Sequence, residues 1–314
     1  MPPQMDKLVE CIPNFSEARR PEIIKTIAEA IASVESAVVL DIHSDKDHNR
    51  SVITFVCDKQ QAVEAAYQGY KAAERHIDLN QHEGVHPRIG AVDVCPFVPL
   101  NKTTMSEAVK LAETLGQRVA NELHIPVYLY EQATRIPERK NLANIRRGQF
   151  EELRDSVKYD TSKTPDFGQN ALHPTAGATA IGARIPLIAF NVFLNTKDKS
   201  IGRKIADAVS GSGGGYRYVK AMAFEIKSRS QIQVSMNLTD YRKTPIYRVF
   251  ETIKSEASRY GVEVVSSEIV GLEPTEALLD SGAFYLRLKQ DIQNVLLEER
   301  MKLVGLTGVT ISAR

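Results

Sequence analysis

Between Ile77 and Leu100 the chain reads I-D-L-N-Q-H-E-G-V-H-P-R-I-G-A-V-D-V-C-P-F-V-P-L. His82, His86, Glu83 and Arg88 stand here among Gly84, Pro87 and Gly90, and ionisable side chains on backbone punctuated by glycine and proline mark a place for chemistry. A four-residue spacing would put both histidines on one helix face as metal ligands. Gly84 and Pro87 argue against a continuous helix, and no third ligand follows at a suitable spacing, so no metal is expected. The stronger reading is one histidine as an acid/base, because imidazole titrates near neutrality and can take up and return a proton within a turnover. The plainer alternative is a surface loop whose histidines only cap or solvate.

Three other stretches carry candidates. The turn His43 to Arg50 holds His43, Asp45, Asp47 and His48. Its acids read as a solvated hairpin, whereas Arg50 opens a β-branched strand and could grip a carboxylate through its planar fork. Pro165 to Arg184 contains a run of small residues, Thr175 to Ala183, that would let a ring approach backbone amides. It lacks the spacing of a dinucleotide fingerprint and reads otherwise as a tight loop feeding the next strand. Gly211 to Gly215 lacks the Lys-Ser/Thr of a phosphate-binding loop and reads as a linker or flap. The neighbouring Tyr216 to Lys220, Y-R-Y-V-K, reads as strand edge rather than a nucleic-acid patch.

Periodicity supplies the elements that must hold these residues. In the first half, strands are expected at Leu8 to Ile12, Ala37 to Asp41, Ser51 to Cys57, Ala91 to Val94 and Val127 to Tyr130. Helices are expected at Pro21 to Val34, Gln60 to His76 and from Ser106, an N-cap, to Leu123. Asn14 and Ser16 are cap candidates for the first helix. Short helices should cover Tyr130 to Phe167. The second half predicts strands at Ile188 to Phe193, Val219 to Phe224, Gln231 to Leu238 and Glu263 to Ser267. Its helices should lie at Ser200 to Val209, Pro245 to Tyr260 and Leu286 to Met301. Both halves therefore begin β-α-β-β-α-β. The fold class is α/β (α+β): two similar subdomains, 1–180 and 181–314, each a mixed sheet with helices packed on it and a ligand crevice between them.

Bulk properties narrow the functions. The chain has 314 residues, 43% of them apolar and 25% charged, with 40 basic against 39 acidic side chains for a formal charge of +1. A balance this even provides no global field for nucleic acid or an anionic membrane. No apolar run approaches the ~20 residues of a membrane helix. The first residues lack a signal peptide's apolar region. Cys11, Cys57 and Cys95 are isolated, against a disulfide framework and in keeping with a reducing cytoplasm.

Several segments together resemble the glutamate formimidoyltransferase family: L-V-E-C-I-P-N-F-S-E (Leu8 to Glu17), N-R-S-V (Asn49 to Val52), H-P-R-I-G-A-V-D-V-C-P-F (His86 to Phe97), P-V-Y-L-Y (Pro126 to Tyr130), P-D-F-G (Pro165 to Gly168), G-A-T-A-I-G-A-R (Gly177 to Arg184) and L-I-A-F-N (Leu187 to Asn191). The length matches the stand-alone transferase, without the cyclodeaminase domain of the bifunctional animal enzymes. The resemblance implies two α/β subdomains in a homodimer. It also implies transfer of the formimidoyl group of N-formimidoyl-L-glutamate to N5 of tetrahydrofolate, in histidine breakdown. It puts the catalytic histidine on His86 and not His82, and a folate-binding stretch on Gly168, Gln169, Asn170, Ala171, Leu172, His173, Pro174, Thr175, Ala176 and Gly177. Within that stretch Gln169 to Ala176 departs from the animal sequence, and His43 stands where the animal enzymes carry an aspartate. Arg50, Arg88, Arg184 and His43 are the candidates for holding the donor. The competing expectations are a formylglutamate-using or folate-salvage enzyme of the same fold, and a folate-binding protein without turnover.

Overall fold

The computed structural model describes residues 7–303 and divides them between two compact units, Met1–Ile185 and Pro186–Arg314. In the first unit the elements run β1 (Lys7–Cys11), β2 (Asn14–Phe15), α1 (Pro21–Ala32), β3 (Val38–Asp45), β4 (Arg50–Asp58), α2 (Ala62–His76), β5 (Val92–Asn101), α3 (Met105–Glu122), β6 (Val127–Glu131), α4 (Leu142–Ile145), α5 (Gln149–Ser156) and β7 (Thr179–Ala183). In the second they run β8 (Ile188–Leu194), α6 (Lys199–Val209), β9 (Val219–Ile226), β10 (Gln231–Leu238), α7 (Ile246–Ser258), β11 (Val264–Val270), α8 (Thr275–Leu286) and α9 (Leu297–Leu303).

The second unit's sheet has the order β11-β8-β10-β9 and is antiparallel throughout. A mixed sheet is expected there from the β-α-β units. Each such unit is instead split, since β10 lies between β8 and β9, so the two strands of a crossover never pair. The first unit repeats this plan: β5, β1, β4 and β3 pair antiparallel in that order. That sheet becomes mixed because β7 and β6 extend it in parallel beyond β5. The similarity of the two halves is thus one of strand order.

The first sheet is covered differently on its two faces. Ile53, Phe55, Cys11, Phe97 and Leu129 pack under α1, α2 and α3 in one continuous apolar cluster. Alternation sends Val94, Ala180 and Tyr128 to the opposite face, where Ile145, Leu153 and Val157 from α4 and α5 cover them. The three cysteines are free and buried.

Some local expectations shift. The helix of residues 105–122 is capped by Thr104, not Ser106, in a reciprocal box with Glu107. Neither Asn14 nor Ser16 caps α1: Asn14 lies in β2, Ser16 Oγ donates to Gly90 O at 2.7 Å, and Pro21 opens the helix without a side-chain cap. Thr179–Ala183, expected as loop, is the fully buried strand β7. Gly211 to Gly215, expected as a flap, is a turn whose Gly213 and Gly215 amides donate to Ser210 O at 3.0 and 2.8 Å. The expected helix Leu286 to Met301 does not form as one piece. Arg287 turns left-handed (φ 54°) and ends α8, after which a short 3-10 turn and α9 follow. Among the described residues no helix is long and apolar enough to cross a membrane.

Candidate active site

Residues 77–91 join α2 to β5 without helix, and two glycines fix where this loop lies. A Cβ on Gly84 would stand 2.3 Å from His48 O, and one on Gly90 would stand 1.7 Å from Ala178 O. The loop is therefore pressed against the β3–β4 hairpin at one end and the start of β7 at the other, at distances only glycine tolerates. Asn49, left-handed at φ 48°, ties the hairpin side. Its side chain accepts from Ala18 N at 2.9 Å and donates to Glu83 O at 3.0 Å.

The two histidines have different work. His82 donates from Nε2 to Asn49 O at 2.9 Å and accepts from Arg88 Nε at 2.9 Å, so both nitrogens brace the loop. Arg88 is buried. Its other nitrogens grip Glu151 at 2.8 and 3.0 Å, and this hydrogen bonding holds the Glu151 carboxyl below its usual range. His86 instead donates from Nδ1 to Pro87 O at 2.8 Å, which leaves the Nε2 lone pair to accept from Arg50 Nη1 at 2.8 Å. The rings of His86 and His48 meet edge-on, with centroids 6.1 Å apart. Burial, followed by the charges of Arg50 and Arg146, holds the imidazole of His86 well below its ordinary range, so it is neutral at physiological pH.

Further groups complete the cluster. Arg50 also donates to Asn14 Oδ1. Arg146, which follows α4, pairs with Asp93 of β5, and Asp93 in turn accepts from Ile89 N at 2.8 Å. His48 Nδ1 lies 2.7 Å from Asp45 Oδ2. Burial alone would raise the Asp45 carboxyl, but the hydrogen bonds from His48 and the backbone overcome it and lower the pKa to about 2.

The stretch Gly168 to Gly177 is bound directly to the His86 loop. Leu79 N donates to Thr175 O, Ala91 N to Ala176 O and Ala178 N to Ile89 O, each at 2.9 Å. Asn80 Nδ2 donates to Pro174 O, also at 2.9 Å. Inside the stretch His173 and Gly177 exchange backbone hydrogen bonds, and His173 Nδ1 accepts from Ala176 N at 3.0 Å. Gly168, Gln169 and Asn170 are exposed, while Ala171 and Leu172 are half-buried.

The fold thus brings Arg50 to His86 and ties the segment 168–177 to the two ends of the loop that carries His86. It leaves Arg88 committed to Glu151. It places Arg184 just beyond β7, where its Nη1 donates to Ile185 O at 3.1 Å and its charge acts on Glu10. His43 lies on β3 opposite Val52, half-buried, and none of the hydrogen bonds around His86 includes it. His48 stands in a turn that the sequence marks as a candidate, whereas Asn14, Asn49, Asp93 and Arg146 are not singled out as site residues by sequence reasoning. A left-handed Asn just before Arg50 is the only one of these with a local signal. Among the described residues no group of three or more His, Cys, Asp or Glu is placed to hold a metal ion.

Comparison with known proteins assigns the chain's family. Residues 8–184 match the formiminotransferase domain, N-terminal subdomain, and residues 189–309 match the formiminotransferase domain. The chain is 52% identical to a glutamate formimidoyltransferase of Thermoplasma acidophilum, over 94% of this chain and 97% of that one. It is 46% identical to the glutamate formimidoyltransferase of Streptococcus pyogenes serotype M1, over 95% and 99%. With the formimidoyltransferase-cyclodeaminase of Sus scrofa it shares 41% identity, covering 96% of this chain but 56% of the longer protein. The chain belongs to the formiminotransferase family.

Proposed function

We propose that this protein is a glutamate formimidoyltransferase, moving the formimidoyl group of N-formimidoyl-L-glutamate to N5 of tetrahydrofolate in histidine degradation. His86 is the catalytic group, carried by the N-terminal subdomain. The observation that carries this reading is the neutral imidazole whose Nε2 lone pair faces a guanidinium while Nδ1–H is anchored on a carbonyl. Attack of the N5 amine on the formimidoyl carbon gives a tetrahedral adduct with an excess proton on N5. His86 Nε2 takes that proton and returns it to the departing glutamate nitrogen, so the enzyme ends the cycle unchanged. Proton shuttling of this kind contributes ~10²–10⁴-fold, and fixing two substrates in register contributes up to ~7–11 kcal/mol.

The segment 168–177 is the folate-binding stretch in this reading, supported by its hydrogen bonds to the His86 loop. Arg50 meets a donor carboxylate. Arg184 and His43 are kept as candidates for more distant donor or folate contacts, while Arg88 serves by fixing the loop. The enzyme works as a homodimer in the cytoplasm, a reading that rests on the family resemblance and on the reduced cysteines.

The test is a two-substrate assay on the purified chain with 5-formimidoyltetrahydrofolate as the product measured. Formation of that product from the formimidoyl donor, faster than formyl transfer from N-formyl-L-glutamate, is expected. Faster formyl transfer would assign the other donor, and tetrahydrofolate binding without product would make the protein a binder.

A further inference from the structure

Arg50 is a half-buried cation on which the charges of Asp93 and Asp45 act without a direct pair. Its hydrogen-bond partners, His86 Nε2 and Asn14 Oδ1, are both neutral, and among the described residues it makes no ion pair. Buried charges are ordinarily paired, because an uncompensated guanidinium away from water is costly. A second guanidinium, Arg146, makes the imbalance worse: its charge acts on both Arg50 and His86, and among the described residues Asp93 is the one acid it pairs with. The Nε atoms of both arginines are buried and have no partner. Two adjacent guanidiniums with unspent donors describe a place for an anion.

The same contact blocks the proposed base. A lone pair already engaged by an N–H of Arg50 cannot take up a proton. Catalysis therefore needs Arg50 to move its N–H elsewhere, and a carboxylate offers the stronger partner, since charge-assisted hydrogen bonds are roughly twice as strong as neutral ones.

We propose that a carboxylate of the donor binds between Arg50 and Arg146 and, by drawing the Arg50 N–H away, frees Nε2 of His86 to act as the base. This rests on the transferase reading above and deepens it. Arg146 becomes a substrate-binding residue. Donor recognition and base activation become one event, so a donor lacking that carboxylate is rejected in turnover as well as in binding. The groups facing His86 are Arg50 from β4, Arg146 after α4 with Asp93 of β5 beyond it, His48 with Asp45 from the hairpin, and the Pro87 carbonyl. Of these, the two arginines are the permanent cations, and His48 is already paired with Asp45.

The test follows the imidazole of His86 by nitrogen-15 NMR in the full chain, with the signal assigned by its loss in His86→Gln. Glutarate, a dicarboxylate without a transferable group, is the probe, and glutaramide is its uncharged control. Glutarate should raise the pKa of His86 by about one unit or more, the order expected when a neighbouring cation is neutralised. Glutaramide should not, and Arg146→Gln should remove most of the rise while the rest of the spectrum stays native. Arg50→Lys, which keeps a cation in place, should also weaken it. The gate is overturned if glutarate leaves the His86 signal where it was, if glutaramide acts equally, or if Arg146→Gln responds in full. Because the readout is a titration and not turnover, a chain that passes here but makes no product sinks the transferase reading alone. A chain that makes product but fails here sinks the gate alone.

Discussion

Four strands of each unit lie in the same order, and the connections at equivalent places differ sharply. In the first unit α2 reaches β5 through the long loop of residues 77–91, which carries His82, His86 and Arg88. In the second, α7 reaches β11 through residues 259–263, R-Y-G-V-E, which contain no histidine. The hairpins diverge in the same way. Residues 46–49 between β3 and β4 bring His48 and Asn49 up to Arg50, whereas residues 227–230 between β9 and β10 read K-S-R-S. There Arg229 lies over the Phe193 ring, 4.8 Å from its centroid, and serves packing. One strand plan therefore supports a reactive cluster or a plain domain depending on what its loops carry, as expected when sites are grafted onto folds.

The most direct way to break this contrast is to delete the central group on each side. His86→Ala should lower kcat by ~10²–10⁴-fold, the worth of a positioned acid/base, and leave tetrahydrofolate affinity intact. Arg229→Ala should leave turnover unchanged. Initial rates of 5-formimidoyltetrahydrofolate formation decide the matter. Equal losses in the two variants would mean that the second unit's hairpin takes part in the chemistry.

A subtler intervention moves the loop without touching a reacting group. Gly84→Ala places a methyl 2.3 Å from His48 O, so either the loop or the hairpin has to retreat. Overpacking of this kind costs about 1–3 kcal/mol of stability. A displacement on the order of 1 Å at a reacting centre can lower turnover by about 10²-fold. The variant should stay folded by circular dichroism and lose activity. Full activity would show that the hairpin does not set the position of His86.

The sequence makes the scaffold more legible than the site. Helical and alternating periodicities mark α1, α2 and β10 because each has one apolar face against a core, and β-branched content marks the largely buried β4. Strand β7 escapes, since its small residues, T-A-I-G-A, carry no such signature and are dictated by burial between β5 and β6. The residues 275–286 escape too, because the apolar side chains of α8 are spread around the helix and Leu278, Phe284 and Leu286 remain exposed. At the site, His86 is identified through the family resemblance and Arg50 through its place at a strand start. Asn14, Asp93 and Arg146 are far apart in the chain, and only β2, β5 and the turn after α4 together bring them to the Arg50–His86 pair. No local spacing rule could have joined them.

Acid should separate the two hairpins next. The Asp45 pKa is lowered to about 2, against an unfolded value near 4. Its hydrogen bonds therefore stabilise the fold above pH ~4, and the contribution fades as pH falls towards ~2. Partial exposure of the carboxylate limits it to about 1 kcal/mol. In urea titrations across pH, Asp45→Asn should be less stable than the parent at neutral pH, and the gap should close near pH ~2. A gap that persisted unchanged at low pH would mean that the carboxylate's charge is not what holds His48.

The smallest effect is also the sharpest control for the glycine argument. Gly282 lies inside α8 in the second unit, and a Cβ built there meets no atom within 4 Å. Glycine in a helix interior is less stable than alanine by roughly 0.5–1 kcal/mol, largely through the freedom it gives the unfolded chain. Gly282→Ala should therefore raise the urea midpoint slightly and leave turnover as it was. The same chemical change at Gly84 should lower both. If Gly282→Ala were instead destabilising, α8 would be packed more tightly than its open surroundings imply. The opposite signs expected at the two positions would then no longer distinguish a loop held by close contact from a helix merely resting on its domain.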